Sequence, residues 1–229
     1  MTNRPRKELQ MKNSIKGFFH AYIMILGLIL VLPINAIVGK KAPNFTAQAI
    51  IEDQTKEISL SDFAGKNKIL IFYPADFSFI CPTELFAFQE KIDEFQTRNT
   101  QLLALSVDQI YSHEKWLSIP RKEGGIQGIT YPVVSDITKK ISSEYGVLDQ
   151  DKGIALRGII IIDKDDIVQA SSIYNVNIGR NVDEALRVLD AVLFTQEHGQ
   201  VCPANWSKGK SGLEATQEGL KNYLNKEQE

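Results

Sequence analysis

Two short apolar runs with an amphipathic segment between them constrain the fold of this chain most. Residues 69–73 (ILIFY) and 102–107 (LLALSV) have the length and aliphatic content of strands that are buried on both faces. Between them, residues 84–96 place Leu85, Phe88, Ile92 and Phe95 on one face of a helix. A strand, a helix and a second strand at this spacing predict a βαβ unit with two parallel strands.

The rest of the body continues this alternation. Residues 158–163 (GIIIID) and 167–170 predict a hairpin, and short helices are predicted over 113–118 and 138–145, with the end of a strand at 131–135. In a longer helix, Asn181 is the predicted cap and Glu184 its reciprocal partner, with an apolar face of Val182, Ala185, Leu186, Leu189, Val192 and Leu193. We expect an α/β fold whose central mixed sheet is flanked by helices.

The chain divides into three parts by composition. Residues 1–37 form a leader, in which residues 1–16 carry a net charge of +4 and no charged side chain occurs from 17 to 39. This pattern predicts a signal or a membrane anchor that contacts lipid through 18–38. The alternatives are a true start downstream, at Met11 or Met24, and a leader that is simply disordered. Residues 38–199 form the predicted α/β domain, and residues 200–229 a C-terminal arm outside the sheet with a weak helix over 214–224.

Charge and cysteine content exclude several classes of function. The 229 residues carry a net charge of −2, so no general basic field predicts nucleic acid as a partner. Two cysteines, Cys81 and Cys202, are too few for a disulfide scaffold. The three histidines do not combine with them into a four-ligand spacing, and we read His198 as a surface residue, with His113 at a helix start and Trp116 in the core.

Cys81 stands between the first apolar strand and the helix that follows it. A helix N-terminus carries partial positive charge and unpaired N–H groups, which favour a thiolate over a thiol. Ser78 can direct its hydroxyl back toward this sulfur, and Pro74 bends the chain out of the strand and shields one side. Arg157 precedes the buried 158–163 strand and needs an anionic partner, for which a thiolate on the neighbouring strand qualifies.

The joint pattern resembles a known family. The segment FYPADFSFICPTE, residues 72–84, is similar to the peroxidatic loop of the typical two-cysteine peroxiredoxins, the thiol-specific antioxidant and alkyl hydroperoxide reductase C family. Further similar segments are VGKKAPNF (38–45), SVD (106–108), YP (131–132), GIALRG (153–158), NIGR (177–180) and VCPANW (201–206). The resemblance covers nearly the whole chain past the leader.

This resemblance implies both a fold and a set of roles. It implies a thioredoxin-like fold, a peroxidatic Cys81, a resolving Cys202, a peroxide pocket shaped by Pro74, Ser78 and Arg157, and a Glu84 that helps to orient arginine there. The family also implies an obligate homodimer, often assembled into a decamer, and recycling by thioredoxin or a dedicated disulfide reductase.

The residues themselves support the same reaction. A Cys81 thiolate would attack a hydroperoxide, while Ser78, backbone N–H groups and Arg157 stabilise the charge on the leaving oxygen. The resulting sulfenic acid would condense with Cys202, the only other thiol, and its place in a tail favours a disulfide between subunits. Forming that disulfide should require the first turn of the Cys81 helix to unwind, and no metal, flavin or haem is needed.

Two departures from the family pattern predict a difference in behaviour. Oxidation-sensitive members carry Gly-Gly-Leu-Gly and a C-terminal Tyr-Phe, whereas this chain has Gly124-Gly125-Ile126-Gln127 and Tyr223-Leu224. We therefore expect faster local unfolding around Cys81 and moderate resistance to overoxidation.

Two other functions compete with the peroxidase. A thiol-disulfide oxidoreductase would need a second cysteine three residues after Cys81, where Glu84 stands. A chaperone or scaffold ring would use its cysteines only to lock the oligomer. For localisation, the need for reducing equivalents favours the cytoplasm, and the leader favours a membrane-anchored or exported protein.

Overall fold

The computed structural model describes residues 36–226, which contain a seven-stranded mixed sheet in the strand order β2-β1-β5-β4-β3-β8-β9, and a separate two-stranded ribbon, β6-β7. The strands are β1 (Thr46–Ile51), β2 (Gln54–Ser59), β3 (Asn67–Phe72), β4 (Thr100–Ser106), β5 (Val133–Ser135), β6 (Leu148–Asp149), β7 (Ile154–Ala155), β8 (Arg157–Ile162) and β9 (Val168–Tyr174). The helices are α1 (Cys81–Glu90), α2 (Ile92–Gln96), α3 (Ile110–Leu117), α4 (Lys140–Glu144), α5 (Val182–His198) and α6 (Gln217–Lys226). Two 3-10 turns occur at Leu60–Phe63 and Arg121–Glu123.

The predicted βαβ unit is present at the centre of the sheet. β3 and β4 pair in parallel, from Asn67 opposite Thr100 to Phe72 opposite Leu105. All six residues of β3 are buried, as a strand covered on both faces requires. The alternation of side chains along β3 sends Ile69 and Ile71 into one hydrophobic core and Leu70 and Phe72 into another on the opposite face.

The single helix predicted over 84–96 is wrong in its extent. The helical region begins three residues earlier, at Cys81, and breaks at Lys91 into α1 and α2. The predicted apolar face is correct, because Leu85, Phe88 and Phe95 are all buried on the first core. Pro82 is tolerated in the first turn of α1, where its missing N–H leaves no intrahelical hydrogen bond unmade.

The predicted hairpin is present as antiparallel β8 and β9. Arg157, which we expected immediately before the strand, is its first residue, opposite Tyr174. The sequence analysis missed a second hairpin, β1–β2, in which β2 is mainly polar and lies at an edge of the sheet. Its turn residues Glu52 and Asp53 both have left-handed φ, a conformation for which neither side chain is a strong signal.

The cap of α5 is partly as predicted. The Asn181 side chain accepts hydrogen bonds from the backbone N–H groups of Asp183 (2.8 Å) and Glu184 (3.3 Å). The predicted reciprocal bond, in which Glu184 accepts from the Asn181 backbone N–H, is wrong, because the Glu184 carboxylate accepts two hydrogen bonds from Arg187 one turn further on. The Arg187 pair therefore takes the place of a capping box.

The C-terminal arm lies outside the sheet, as predicted. Val201 and Leu213 form an antiparallel bridge with two hydrogen bonds of 3.0 Å, which closes residues 201–213 into a loop. We call this segment the 201–213 loop. The weak helix predicted over 214–224 is α6, and none of its residues is buried.

The leader prediction for residues 1–37 lies almost wholly outside the described residues, so its boundary at residue 38 stays a prediction. Across residues 36–226, no helix combines the length and the apolar character that crossing a membrane requires.

Candidate active site

Cys81 is the first residue of α1 and is completely buried in the first core. The loop that follows β3 brings it there, and Ile80 packs near Gly179 just before α5. Its sulfur therefore lies at the positive end of the α1 dipole, next to the first-turn N–H groups of the helix. This position is the one that the sequence predicted.

Arg157 is the cation that contacts Cys81. Its Nη1 donates to the Cys81 sulfur at 3.3 Å and to Glu84 Oε2 at 2.6 Å, while its Nε donates to the Val176 carbonyl at 2.8 Å. The guanidinium is thus held on two sides and aimed at the sulfur. The sequence-based expectation that Arg157 needs an anionic partner is confirmed, with Glu84 as a second partner besides the thiol.

Glu84 lies one turn after Cys81 and joins two buried arginines. Its Oε1 accepts from the backbone N–H and Nε of Arg180, and its Oε2 accepts from Arg180 Nη2, each at 2.8 Å. Arg180 Nη1 also donates to the carbonyls of Phe72 and Gly158, both at 2.7 Å. Glu84 therefore orients arginine at this site, and it does so for two arginines.

Sequence reasoning missed Arg180 as a site residue. A signal was present, because the segment 177–180 was among those that resemble the family and an arginine at its end requires a partner as Arg157 does. What the sequence lacked was the chain path that folds residue 180 over the end of β3.

These four residues, Cys81, Glu84, Arg157 and Arg180, form what we call the buried charge cluster. All four are buried, and the two guanidiniums outnumber the single carboxylate by one positive charge. Unbalanced charge is costly in a medium of low dielectric constant. The cluster therefore places an uncompensated positive charge beside the Cys81 sulfur.

The loop between β3 and α1 contains the other two predicted residues. Pro74 is buried two residues after the end of β3, and its shielding of one side of the site stays a prediction. The Ser78 hydroxyl donates to the Ala75 carbonyl at 2.8 Å, so the prediction that it points back at Cys81 is wrong for this conformation. A short loop needs its own polar groups satisfied, and the Ser78 hydroxyl closes the turn.

A buried polar network that the sequence did not reveal holds the same loop in place. Asp76 accepts from the Tyr73 hydroxyl and lies against His113 Nδ1, each at 2.8 Å, and His113 Nε2 lies 3.2 Å from the Val134 carbonyl. Burial, followed by the charge of Asp76, raises the pKa of Tyr73 well above its usual value, so the phenol stays a donor. His113 is therefore a buried anchor in the middle of α3, and Trp116 packs in the core as predicted.

Cys202 lies in a different environment. It is half-buried in the 201–213 loop, and its thiol lies 3.7 Å from the Ala191 carbonyl on α5. The loop is fastened to α5 by the buried Trp206, whose ring packs on Phe194. Burial raises the pKa of the Cys202 thiol above its usual value, and the charge of Arg187 partly offsets this effect.

Cys81 and Cys202 are both free thiols, and they lie near different positions along the α5 axis. Glu84 binds Arg180, just before the first residue of α5, whereas Cys202 lies against Ala191, nine residues further along. At the rise of an α-helix, nine residues correspond to about 14 Å along the axis. This arrangement does not bring the two cysteines of one chain together.

In the part of the chain that the structure describes, no three His, Cys, Asp or Glu side chains are grouped to hold a metal ion. His198 is exposed and stacks on Phe194 with ring centroids 4.4 Å apart.

Comparison with known proteins agrees with this geometry. The AhpC/TSA family profile matches residues 38–171, and the profile of the C-terminal domain of 1-Cys peroxiredoxin matches residues 191–226. The chain is 50% identical over 189 residues to a thioredoxin peroxidase of Echinococcus granulosus, covering 82% of this chain and 98% of that protein. It is 44% identical over 192 residues to peroxiredoxin-2 of Bos taurus, covering 84% and 96%.

A solved structure gives the same result for the fold. The reduced 2-Cys peroxiredoxin of Plasmodium vivax superposes with a TM-score of 0.81 at 44% identity, covering 83% of this chain and all of that one. The predicted thioredoxin-like α/β fold is thereby confirmed. The chain belongs to the AhpC/TSA family and is a peroxiredoxin, an enzyme that reduces peroxides with a cysteine thiol.

Proposed function

We propose that Cys81 is the peroxidatic cysteine of this enzyme and that the buried charge cluster prepares it for attack on a hydroperoxide. The observation that carries the proposal is the 3.3 Å contact between Arg157 Nη1 and the Cys81 sulfur. It supplies a fixed positive charge at the place where a nucleophile and a leaving oxygen must both be stabilised.

The chemical step needs only groups that the chain provides and the substrate. The Cys81 thiolate attacks one oxygen of ROOH, a sulfur–oxygen bond forms and the O–O bond breaks. The leaving oxygen departs as RO⁻, takes a proton and becomes ROH, and Cys81 is left as a sulfenic acid. Arg157 and the N–H groups at the start of α1 stabilise the charge on the leaving oxygen, and Pro74 and Ser78 bound the loop that forms the pocket.

The second step joins Cys81 to the resolving cysteine, Cys202, of another subunit. The Cys202 thiolate attacks the sulfenic sulfur, the S–S bond forms and the S–OH bond breaks, and the departing hydroxide takes a proton and leaves as water. Two observations support pairing between subunits. The Cys81 side of the site and Cys202 lie at positions about 14 Å apart along the α5 axis, and Cys81 is completely buried. Unwinding the first turn of α1, including the 3.2 Å bond from Glu84 N–H to the Ile80 carbonyl, would release the sulfur.

The assembly and the reductant are part of this proposal. We propose a homodimer, with the decamer as its closed assembly, and thioredoxin or a dedicated disulfide reductase as the recycling partner. The Echinococcus granulosus relative is a thioredoxin peroxidase, which supports the first reductant. A Plasmodium yoelii relative of 44% identity forms an artifactual octamer when its N-terminus is modified, so in that protein the N-terminus affects the assembly.

We propose the cytoplasm as the compartment, because recycling consumes thiol reductants. Membrane attachment or export through residues 18–38 is the alternative. Fractionation of cells that express the full chain separates them: protein in the soluble fraction supports the cytoplasm, and protein retained in carbonate-washed membranes supports an anchor.

The decisive test is gel electrophoresis after one equivalent of hydrogen peroxide, with and without reductant, for the wild type, Cys81→Ser and Cys202→Ser. We expect a disulfide-linked dimer only in the wild type, and peroxide consumption that is lost in Cys81→Ser. A disulfide within one chain would contradict pairing between subunits. Peroxide consumption that survives in Cys81→Ser would overturn the assignment of the peroxidatic residue.

The same experiment separates the peroxidase from the chaperone or scaffold ring. A ring locked by cysteines would not consume peroxide, and the comparisons do not favour it.

A further inference from the structure

Besides the packing of Trp206 on Phe194, Arg187 joins the 201–213 loop to α5 by a hydrogen bond. Arg187 Nη1 donates to the Trp206 carbonyl at 3.0 Å, and its Nε and Nη2 donate to the two carboxylate oxygens of Glu184 at 2.6 and 2.7 Å. The guanidinium is therefore fixed in a fork by its own helix and bound to the 201–213 loop by its remaining nitrogen. None of the roles assigned above uses this residue.

Helix geometry brings this guanidinium to the resolving cysteine. Arg187 and Ala191 are four residues apart on α5 and so lie on the same face one turn from each other. The Cys202 thiol lies against the Ala191 carbonyl, and Trp206 in the same loop is bound to Arg187. The positive group thus lies on the side of α5 that faces the thiol.

We propose that Arg187 is a positioning residue of the resolving step, which presents its positive charge to the Cys202 sulfur from a place fixed by Glu184 and the Trp206 carbonyl. The inference rests on the proposed function, because it concerns the reaction of Cys202 with the sulfenic acid of Cys81. The step itself is balanced as above: one S–S bond forms, the S–OH bond breaks and water is released.

The charge of Arg187 should affect the rate at which Cys202 forms the disulfide. Burial raises the pKa of the Cys202 thiol and so lowers the share of thiolate at neutral pH, whereas Arg187 acts in the opposite direction. Four of the other charged groups on these elements have partners of their own. Glu184 is bound to Arg187 and Asp190 to Arg98, while Lys208 Nζ is 3.9 Å from Asp190, and Lys210 Nζ donates to the Asn205 carbonyl at 3.3 Å.

Two substitutions separate the charge from the hydrogen bond. Arg187→Gln removes the charge but keeps an N–H donor for the Trp206 carbonyl, and Arg187→Lys keeps the charge. The matched control is Arg98→Gln, which removes a cation that is bound to α5 through Asp190 and not to the 201–213 loop. Reduced full-length protein is mixed with one equivalent of hydrogen peroxide, quenched with an alkylating agent at set times and separated on non-reducing gels.

We expect Arg187→Gln to slow disulfide formation about threefold at pH 7, the size of effect of a partly exposed charge. Arg187→Lys and Arg98→Gln should stay close to the wild type, and the loss of peroxide should be equally fast in all four proteins. The defect of Arg187→Gln should disappear at alkaline pH, where Cys202 is ionised without help. High salt should reduce it at pH 7.

Three results would overturn the inference: wild-type speed in Arg187→Gln, equal slowing in Arg187→Lys, or a ratio of rates that is constant with pH. The last two would show that Arg187 acts only by holding the loop. Failure of the proposed function would look different, since no disulfide would then form in the wild type or its formation would not depend on Cys202.

Discussion

The two cysteines of this enzyme lie in environments that are built in opposite ways. Cys81 is in the core, in contact with a cation that has two further partners, at the end of a helix that packs on the central sheet. Cys202 is half-buried in a loop that touches mainly one helix and is closed by a single bridge.

This difference corresponds to the two steps of the proposed cycle. The first step needs preorganised charge, which a rigid core can maintain. The second needs two sulfurs that start far apart to meet, so at least one of them must be in a segment that opens at low cost. A rigid cysteine and a loosely held one are therefore both required.

The largest effect should come from disrupting the buried charge cluster around Cys81 by a substitution at Glu84. Glu84→Gln removes the only carboxylate of the buried charge cluster and leaves two buried guanidiniums without their charged partner. We expect a loss of about 3–5 kcal/mol in the free energy of unfolding, together with most of the peroxidase activity. Denaturant unfolding measures the first and peroxide consumption the second. Glu90→Gln on the surface of the same helix is the control, and a loss as small as the control's would contradict the buried-cluster argument.

A somewhat smaller effect is expected when the charge is kept and the geometry is lost. Arg157→Lys retains a cation but cannot bind Cys81, Glu84 and the Val176 carbonyl together. We expect the rate constant for the first step to fall about 10²-fold, the cost of removing one fixed donor from a developing oxyanion. Stopped-flow measurement of that step gives the number. If Arg157→Lys reacts as fast as the wild type, a nearby positive charge is enough and the geometry is not needed.

The sequence predicted the rigid side better than the loose one, for physical reasons. Apolar runs and helix periodicity placed Cys81 at the start of α1, because burial on both faces leaves a strong pattern in β3 and β4. Arg180 and the partners of His113 could not be predicted this way, since each depends on a contact across many residues of chain. The β1–β2 hairpin was missed because an edge strand of polar residues carries little periodic signal.

The loop residues show where local reasoning fails. Ser78 was expected to serve Cys81, but its own turn offered a nearer acceptor at Ala75. Glu184 was expected to complete a cap, but Arg187 on the next turn offered it a full charge. In both cases the residue was identified correctly and the wrong one of two available partners was chosen.

The attachment of the 201–213 loop to α5 can be weakened by a substitution at Trp206. Trp206→Ala removes the buried ring that packs on Phe194 with centroids 4.9 Å apart. We expect the 201–213 loop to open more readily by about 2 kcal/mol, below the cost in a full core because the ring packs mainly on one helix. Limited proteolysis of the arm measures this, with Trp206→Phe as the milder control. Global unfolding, followed by the fluorescence of Trp116 in the core, should change little, and an equal loss in both would mean that the arm is part of the rigid body.

The smallest expected effect concerns overoxidation, which competes with the meeting of the two cysteines. α6 has no buried residue, and Leu224 is 50% exposed. The end of the arm is therefore packed too weakly to keep Cys81 in its buried position. We expect modest peroxide to leave little sulfinic acid on Cys81, because the disulfide forms first. Changing Ile126→Leu, Gln127→Gly and Leu224→Phe together should raise that product several-fold, as quantified by mass spectrometry. Leu220→Phe, on the same helix, is the control for added aromatic surface. Abundant sulfinic acid in the wild type would show that Cys81 leaves its buried position too slowly to form the disulfide first. The slow step would then be the unwinding of the first turn of α1, and the weak packing of the arm would not protect Cys81.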